Sequence, residues 1–458
     1  MNVTPVYSIE NALAALASKV KTALKTTAPA VMLQRIEIQV DGAVEPIDWL
    51  AAQDPSAQYY WSDRAGEFSM AGIGEADVVI PSGPVDYAGL FSWLRQRLPD
   101  SMPSLRYYGG FRFDTGPASG NRWSTFKSFR FIVPRLEVLR RGNSTVVACN
   151  IKVGPARQND HEWESVQDTL QAVVPLKHAR KSPLPKVISR KDMPNQQTWE
   201  ATVEAALDAF RAGSLEKVVL ARETTFRGDA AWPPVAVLQQ LMGQTRRSFD
   251  FCFRPSPDRA FIGASPERLY KRMNCFLQSE ALAGTRARGR TNEEDRRLAE
   301  ELMSNDKERR EHQFVVKMLE EQCGRFCAHV AVAEKPKIMR LLNVQHLLTT
   351  LEGVLNNNEV DAELLQALHP TPAVGGVPRE EALKWLAEHE PFDRGIYAAP
   401  VGWVGYDGAE FCVAIRSALI QGNDLCVYTG AGIVPGSVAA EEWQEIEHKM
   451  SVFRHALH

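Results

Sequence analysis

Residues 428–450, YTGAGIVPGSVAAEEWQEIEHKM, constrain this chain more than any other stretch. The pattern predicts a strand, a glycine turn, and a helix that opens after Pro435-Gly436-Ser437. Ser437 is the expected N-cap, with Glu441 and Glu442 in the first turns, where the helix dipole favours carboxylates. Glu442, Glu445 and Lys449 fall at i, i+3 and i+7 and therefore share one helix face. Two carboxylates and an ammonium beside a turn that bares backbone N–H groups can hold a metal and an anion. The same charges can also simply decorate a solvated helix.

A second helix poses the same question. Glu308 and Glu311 are three apart on a helix whose inward stripe continues through Val315 and Met318. Carboxylates that run into an apolar stripe are costly unless paired or bound to metal. Two helices, each offering carboxylates at i and i+3, can close around one hard cation, and an all-oxygen site of that kind suits Mg²⁺. Two exposed acidic faces are the alternative.

Three further positions carry chemistry if they are desolvated. Lys217 opens the apolar strand KVVLARE, where it is either a base with a lowered pKa or a lysine blunting a strand edge. Glu267 follows Ser-Pro at a strand end and is either a general acid in an apolar pocket or a turn residue. Arg416 ends the apolar run FCVAIR and needs a carboxylate, from the protein or from a ligand. Gly430 and Gly432 let backbone approach a ligand. His346 and His369 read as satisfied structural histidines.

Composition excludes several function classes. A net charge of −3, with no long Lys/Arg block, gives no case for nucleic acid. No apolar run approaches the ~20 residues of a membrane span. The N-terminus, MNVTPVYSIENALAALASKV, is neither a signal peptide nor an Arg-rich transit peptide, so a cytoplasmic protein is expected, or a plastid-stromal one if a transit peptide was trimmed. The seven cysteines are irregularly spaced and are expected to be reduced, mostly buried thiols. Residues 1–153 read as a scaffold half of short helices and antiparallel strands. Residues 154–197, polar and proline-containing with a basic cluster at 177–181, read as a linker, and residues 198–458 as the catalytic region.

From Thr198 onward the ordered blocks KVVLARE, IGASPERL, SEALAGTR, DKERREHQFVV, VQHL, HPTPAVGGVP, EPFDRGIYAAPVGW, FCVAIRSA, YTGAGIVPGS and EEWQEIEHK resemble the chorismate-utilising enzyme family, which includes anthranilate, aminodeoxychorismate, isochorismate and salicylate synthases. The first half resembles the N-terminal part of isochorismate-forming members only loosely. The resemblance implies an α/β fold in which two large, mainly antiparallel β-sheets form a sandwich with peripheral helices and an active site in a cleft. It implies Mg²⁺-dependent chemistry on chorismate, with Glu311 and Glu445 as direct metal ligands and Glu308 and Glu442 as supporting ones. It places Arg416, Tyr428, Gly430, Gly432 and Lys449 at a substrate carboxylate, and Gly284, Thr285 and His346 near the ring. Within the family, Lys217 matches the base that activates water, and Glu267 matches the acid that protonates the departing C4 hydroxyl. Ala283 stands where aminodeoxychorismate synthases commonly carry a nucleophilic lysine. The implied reaction is conversion of chorismate to isochorismate, feeding menaquinone, siderophore or salicylate synthesis. The alternatives are a salicylate synthase that goes on to eliminate pyruvate and a non-catalytic chorismate-binding regulator. A monomer or weak homodimer without a glutaminase subunit is expected.

Overall fold

The computed structural model describes residues 8–42, 44–53, 57–81, 83–114, 122–176, 182–245, 247–342, 344–357 and 359–457. Among these, twenty strands form one hydrogen-bonded network, and every pairing described is antiparallel. The long strand Phe129–Arg141 is its hinge. One edge pairs with Phe68–Val79; the other pairs first with Arg106–Phe111 and then with Ser144–Val153. From Phe68–Val79 a first sheet runs through Gln58–Ser62, Phe249–Ser256, Arg259–Ser265, Ser417–Gln421 and Asp424–Ile433 to Lys217–Gly228. From Arg106–Phe111 a second sheet runs through Pro400–Gly405, Gly408–Val413, Arg268–Met273 and Phe276–Ala287 to Val344–Leu355. The expected mixed fold with two large antiparallel sheets is thus present, its sheets joined through Phe129–Arg141.

One core, including Phe131, Phe251, Phe261, Tyr270 and Phe411, is rich in aromatic rings drawn from both sheets, as in a sandwich. A second core gathers the buried stripes of the helices Ile9–Ala23, Pro46–Ala51, Pro234–Gln244 and the end of Ala439–Ala456. Lys217–Gly228 is buried along almost its whole length, and a strand buried on both faces has the near-continuous apolar start seen here. Among the described residues no helix is long and apolar enough to cross a membrane.

The expected division of the chain needs correcting. The strand Gln58–Ser62 pairs with Phe249–Ser256, and Arg106–Phe111 with Pro400–Gly405, so residues 1–153 share both sheets with the C-terminal region. The expected linker 154–197 contains the helix Ala156–Gln171 and the strand Val187–Met193, which pairs with Lys217–Gly228. The polarity that suggested a linker belongs to a helix whose buried face is itself polar. Asn159 bonds Gly154 N and the Leu24 and Thr26 carbonyls, and Glu162 pairs with Arg135. The basic cluster 177–181 lies outside the described residues.

The stretch at 428–450 also differs in detail. The strand Asp424–Ile433 continues through Gly430 and Gly432, which lie opposite Ala221 and Val219, so these glycines are strand residues and bare no turn. The turn falls at Gly436, at φ +92°. Val438, not Ser437, caps the helix Ala439–Ala456; Ser437 Oγ instead accepts from Val434 N. Trp443 anchors this helix through an edge contact with Trp199 and the Arg222 guanidinium over its ring.

Candidate active site

A cavity opens where the two sheets and two helices, Asp306–Gly324 and Ala439–Ala456, approach one another. Glu267 enters it from the turn between Arg259–Ser265 and Arg268–Met273. Ser265 Oγ donates to Val413 O and accepts from Glu267 N, while Glu267 O accepts from Val413 N. These bonds hold the turn and leave the carboxyl in the cavity wall, 3% exposed and with no side-chain hydrogen bond among the described residues. Burial pushes its pKa up to about 8; Glu280 adds to the rise, and Lys217 and Lys449 oppose it.

Arg416 lines the same cavity from the break between Gly408–Val413 and Ser417–Gln421, at φ +49°, in the left-handed region unusual for a residue with a long side chain. Its guanidinium has no carboxylate partner among the described residues; its Nη2 donates to His346 Nε2 at 3.2 Å, and desolvation lowers its pKa to about 10. His346 Nδ1 faces the Gly284 carbonyl at 3.2 Å and Thr285 Oγ1 at 3.1 Å. A nitrogen facing a carbonyl must carry the proton and one facing a guanidinium must accept, so His346 is neutral and protonated on Nδ1. Burial and the nearby Arg416 and Lys449 push its pKa down to about 3. Its expected role as an ordinary structural histidine is therefore incomplete, whereas His369, buried and bonded to Phe113 O, is structural.

Of the four candidate metal-binding carboxylates, Glu311 and Glu445 line the cavity and Glu308 and Glu442 do not, and each of the four rests on a cation. Glu311 takes Lys217 at 2.9 Å, Glu308 takes Arg286 at 3.0 Å, Glu442 takes Lys307 at 2.7 Å and Glu445 takes Lys449 at 2.7 Å. Among the described residues no group of three or more His, Cys, Asp or Glu side chains is arranged as a metal cage. The carboxylates nonetheless feel one another. After burial, Glu311 and Glu445 raise the pKa of Glu308, and Glu445 raises that of Glu442. Glu308 and Glu442 are buried and Glu311 and Glu445 are partly exposed; mutually repelling oxygen donors of this kind are a chemical fit for a hard divalent cation. Gly284, at φ +77° in a strand bulge, lets Thr285 N reach Glu308 at 3.0 Å.

Of the remaining sequence-derived positions, Gly284, Thr285, Tyr428, Gly430, Gly432 and Lys449 line the cavity. Lys217 lies fully buried behind Gly432: a Cβ there would stand 2.4 Å from Glu311 Oε1 and 3.2 Å from Lys217 Cε. It is not an edge lysine, because it is wholly buried and its backbone lies opposite Val377. Tyr428 departs from expectation: its hydroxyl donates to Glu223 at 3.2 Å, so only its ring is left for the cavity. Lys449 donates to Gly430 O at 2.9 Å. Sequence reasoning missed Tyr397, whose ring stacks on Tyr428 at 5.2 Å and whose hydroxyl lies against Gly430, and it missed Thr429, whose buried Oγ1 has no partner among the described residues. Ala398 at φ +63° marks the special backbone that presents Tyr397, but nothing in the local pattern announces it.

A sandwich of this topology around a carboxylate-rich cavity defines a class, and the family model described as chorismate binding enzyme matches residues 18–458; the chain belongs to that family. Its relatives narrow the class. Isochorismate synthase MenF of Escherichia coli (strain K12) is 33% identical over 93% of this chain and 94% of its own length. The salicylate biosynthesis isochorismate synthase of Pseudomonas aeruginosa is 37% identical over 77% of this chain and 74% of its own. The solved structure of MenF, the menaquinone-specific isochorismate synthase from Escherichia coli, superposes with a TM-score of 0.85 at 29% identity, over 98% of this chain and 100% of that one.

Proposed function

We propose that this chain converts chorismate to isochorismate, with Glu267 as the general acid. The observation that carries the assignment is a buried carboxyl in the cavity wall with no side-chain hydrogen bond among the described residues, and burial pushes its pKa up to about 8. Water adds at C2 of the ring, both ring double bonds shift by one position, and the C4–O bond breaks. Glu267 gives its proton to the departing hydroxyl, which leaves as water, and Lys217 takes a proton from the incoming water. One water enters and one leaves, so the net change is an isomerisation. Ala283 puts no amine in the cavity, which leaves water as the nucleophile.

The Arg416 guanidinium, which meets no carboxylate among the described residues, is assigned to a substrate carboxylate, with neutral His346 orienting it through the bond to Nη2. Lys449, Thr285, the Tyr428 ring and the Gly430–Gly432 backbone complete the binding wall. Glu311 and Glu445 are assigned as the direct ligands of Mg²⁺, supported by Glu308 and Glu442. A bound divalent cation supplies charge compensation at a substrate carboxylate. This assignment requires the pairs Lys217–Glu311 and Lys449–Glu445 to open in the loaded enzyme, and opening the first frees Lys217 to act as the base. A cytoplasmic or stromal location and action without a glutaminase subunit belong to the same proposal.

Incubating the purified protein with chorismate and Mg²⁺ and separating the products tests the reading. Isochorismate as the sole product supports it. Salicylate with pyruvate replaces it with the salicylate synthase reading, and tight binding without product replaces it with a regulator.

A further inference from the structure

The residues flanking Glu267 are both tied to one buried carboxylate. Arg64 lies in the tight turn between Gln58–Ser62 and Phe68–Val79, a turn closed by Asp63 Oδ1 accepting from Glu67 N and Phe68 N. Its guanidinium reaches across to the Glu267 turn. Nη1 donates to Pro266 O at 2.9 Å and to Glu280 Oε2 at 2.6 Å, and Nη2 donates to Glu280 Oε1 at 2.6 Å. On the other side of the acid, Arg268 donates to the same Glu280 Oε1 at 2.8 Å and to Glu410 at 3.1 Å. Both guanidinium groups lie over the Phe249 ring. Glu280 is almost wholly buried, so its charge is compensated chiefly by these two arginines. The Glu267 carboxyl has no side-chain hydrogen bond among the described residues, so its place in the cavity is set by the backbone on either side of it.

We propose that Arg64 is a positioning residue for the acid: its two-pronged bond to Glu280 and its bond to Pro266 O fix the Ser265–Arg268 turn and compensate the Glu280 charge beside Glu267. This rests on the acid role assigned to Glu267 above. It gives the N-terminal part of the chain, which sequence patterning assigned only to scaffold, a direct hold on the reaction. Arginine suits the task because only its planar fork grips both carboxylate oxygens while a further N–H reaches the carbonyl. The groups whose charge acts on Glu267 are Lys217 and Lys449, which favour its ionised form, and Glu280, which disfavours it; Tyr397 and Cys412 also lie within electrostatic range.

The test measures kcat and KM for chorismate at saturating Mg²⁺ between about pH 6 and 10 for Arg64→Gln, Arg64→Lys and Glu280→Gln, with the parent and Glu267→Gln alongside. Arg64→Gln is expected to lower kcat by about tenfold or more, with a smaller effect on KM, because a misplaced acid costs the chemical step. The alkaline limb of kcat should move to higher pH as Glu280 loses a counter-cation, whereas Glu280→Gln should move it lower. Arg64→Lys should restore the limb but not the full rate, since it keeps the charge and loses the fork. Parental kcat and limb in Arg64→Gln, or a uniform loss of rate with the limb in place, would overturn the proposal as a mere structural effect. If the Arg64 variants do not fold, Glu280→Gln decides alone: a lowered limb supports the proposal and an unmoved one overturns it. Inactive Glu267→Gln with unmoved limbs sinks the positioning role only; active Glu267→Gln sinks the acid assignment, and this proposal with it.

Discussion

Replacing Glu267 with glutamine is expected to abolish turnover and at the same time stabilise the protein. Its pKa is raised from 4.5 to about 8 in the folded state. A group whose folded pKa lies above its unfolded value contributes stability that is fully present below the unfolded pKa and is lost as pH rises to the folded one. The window is therefore pH 4.5 to about 8. At pH 7 the unfolded carboxyl has gained about 2.5 pH units of ionisation free energy that the folded one has not, about 3 kcal/mol at about 1.4 kcal/mol per unit. By pH 8 and above the difference reaches about 5 kcal/mol. Glutamine fills the same space and does not ionise, so the variant escapes this loss. A chain of this length has an unfolding entropy of about 1 kcal/mol per degree, so the variant should melt about 3 °C higher at pH 7 and about 5 °C higher at pH 8 to 9. At pH 4.5 the two proteins should melt alike. Paired thermal scans across this range, with a product assay on the same preparations, make the measurement. A melting difference that does not change with pH would refute the reasoning, because it would mean that Glu267 is already ionised in the fold and cannot serve as the acid at neutral pH.

Two other perturbations separate binding from chemistry. Arg416→Gln should raise KM for chorismate by about ten- to a hundredfold, the worth of a hydrogen bond to a charged group, without lowering the melting temperature, since it removes a desolvated cation that has no carboxylate partner among the described residues; steady-state kinetics and a thermal scan read both effects. Glu311→Gln and Glu445→Gln should each raise the Mg²⁺ concentration for half-maximal activity at least about tenfold and weaken Mg²⁺ binding to the substrate-free protein by calorimetry, whereas parental metal affinity in both variants would remove these residues from the metal site.

The cavity's carboxylates were legible early because their spacing is local. A helix puts i and i+3 on one face whatever surrounds it, so Glu308 with Glu311 and Glu442 with Glu445 could be paired on sight. The glycines at 430 and 432 were legible as places of close approach, but not as strand residues. That depended on Lys217–Gly228 pairing along their whole stretch from two hundred residues away. The family resemblance puts Tyr428 at the substrate carboxylate, yet its hydroxyl is taken by Glu223 on the facing strand, a contact no local pattern encodes. The polar segment 154–197 misled for a related reason: composition reports polarity, and Asn159 and Glu162 are polar residues put to work inside the fold.

What the sequence determined by itself was therefore the alternation of strands and helices, the two carboxylate pairs, and the class of chemistry carried by its ordered blocks. The tertiary structure alone decided which of those residues are desolvated and what they face. SPERL is compatible with an exposed turn; Glu267 becomes a protonated acid because the surrounding strands and the Ala439–Ala456 helix exclude water from it. Arg416 becomes a waiting cation because the chain turns into the left-handed region there, where it meets His346 and, among the described residues, no carboxylate. Arg64 becomes a partner of the acid turn only because the sheet brings residue 64 beside residue 280. Charge spacing along a helix is a property of the chain, while desolvation and opposition are properties of elements distant in sequence, and the chemistry of this cavity rests on the second kind.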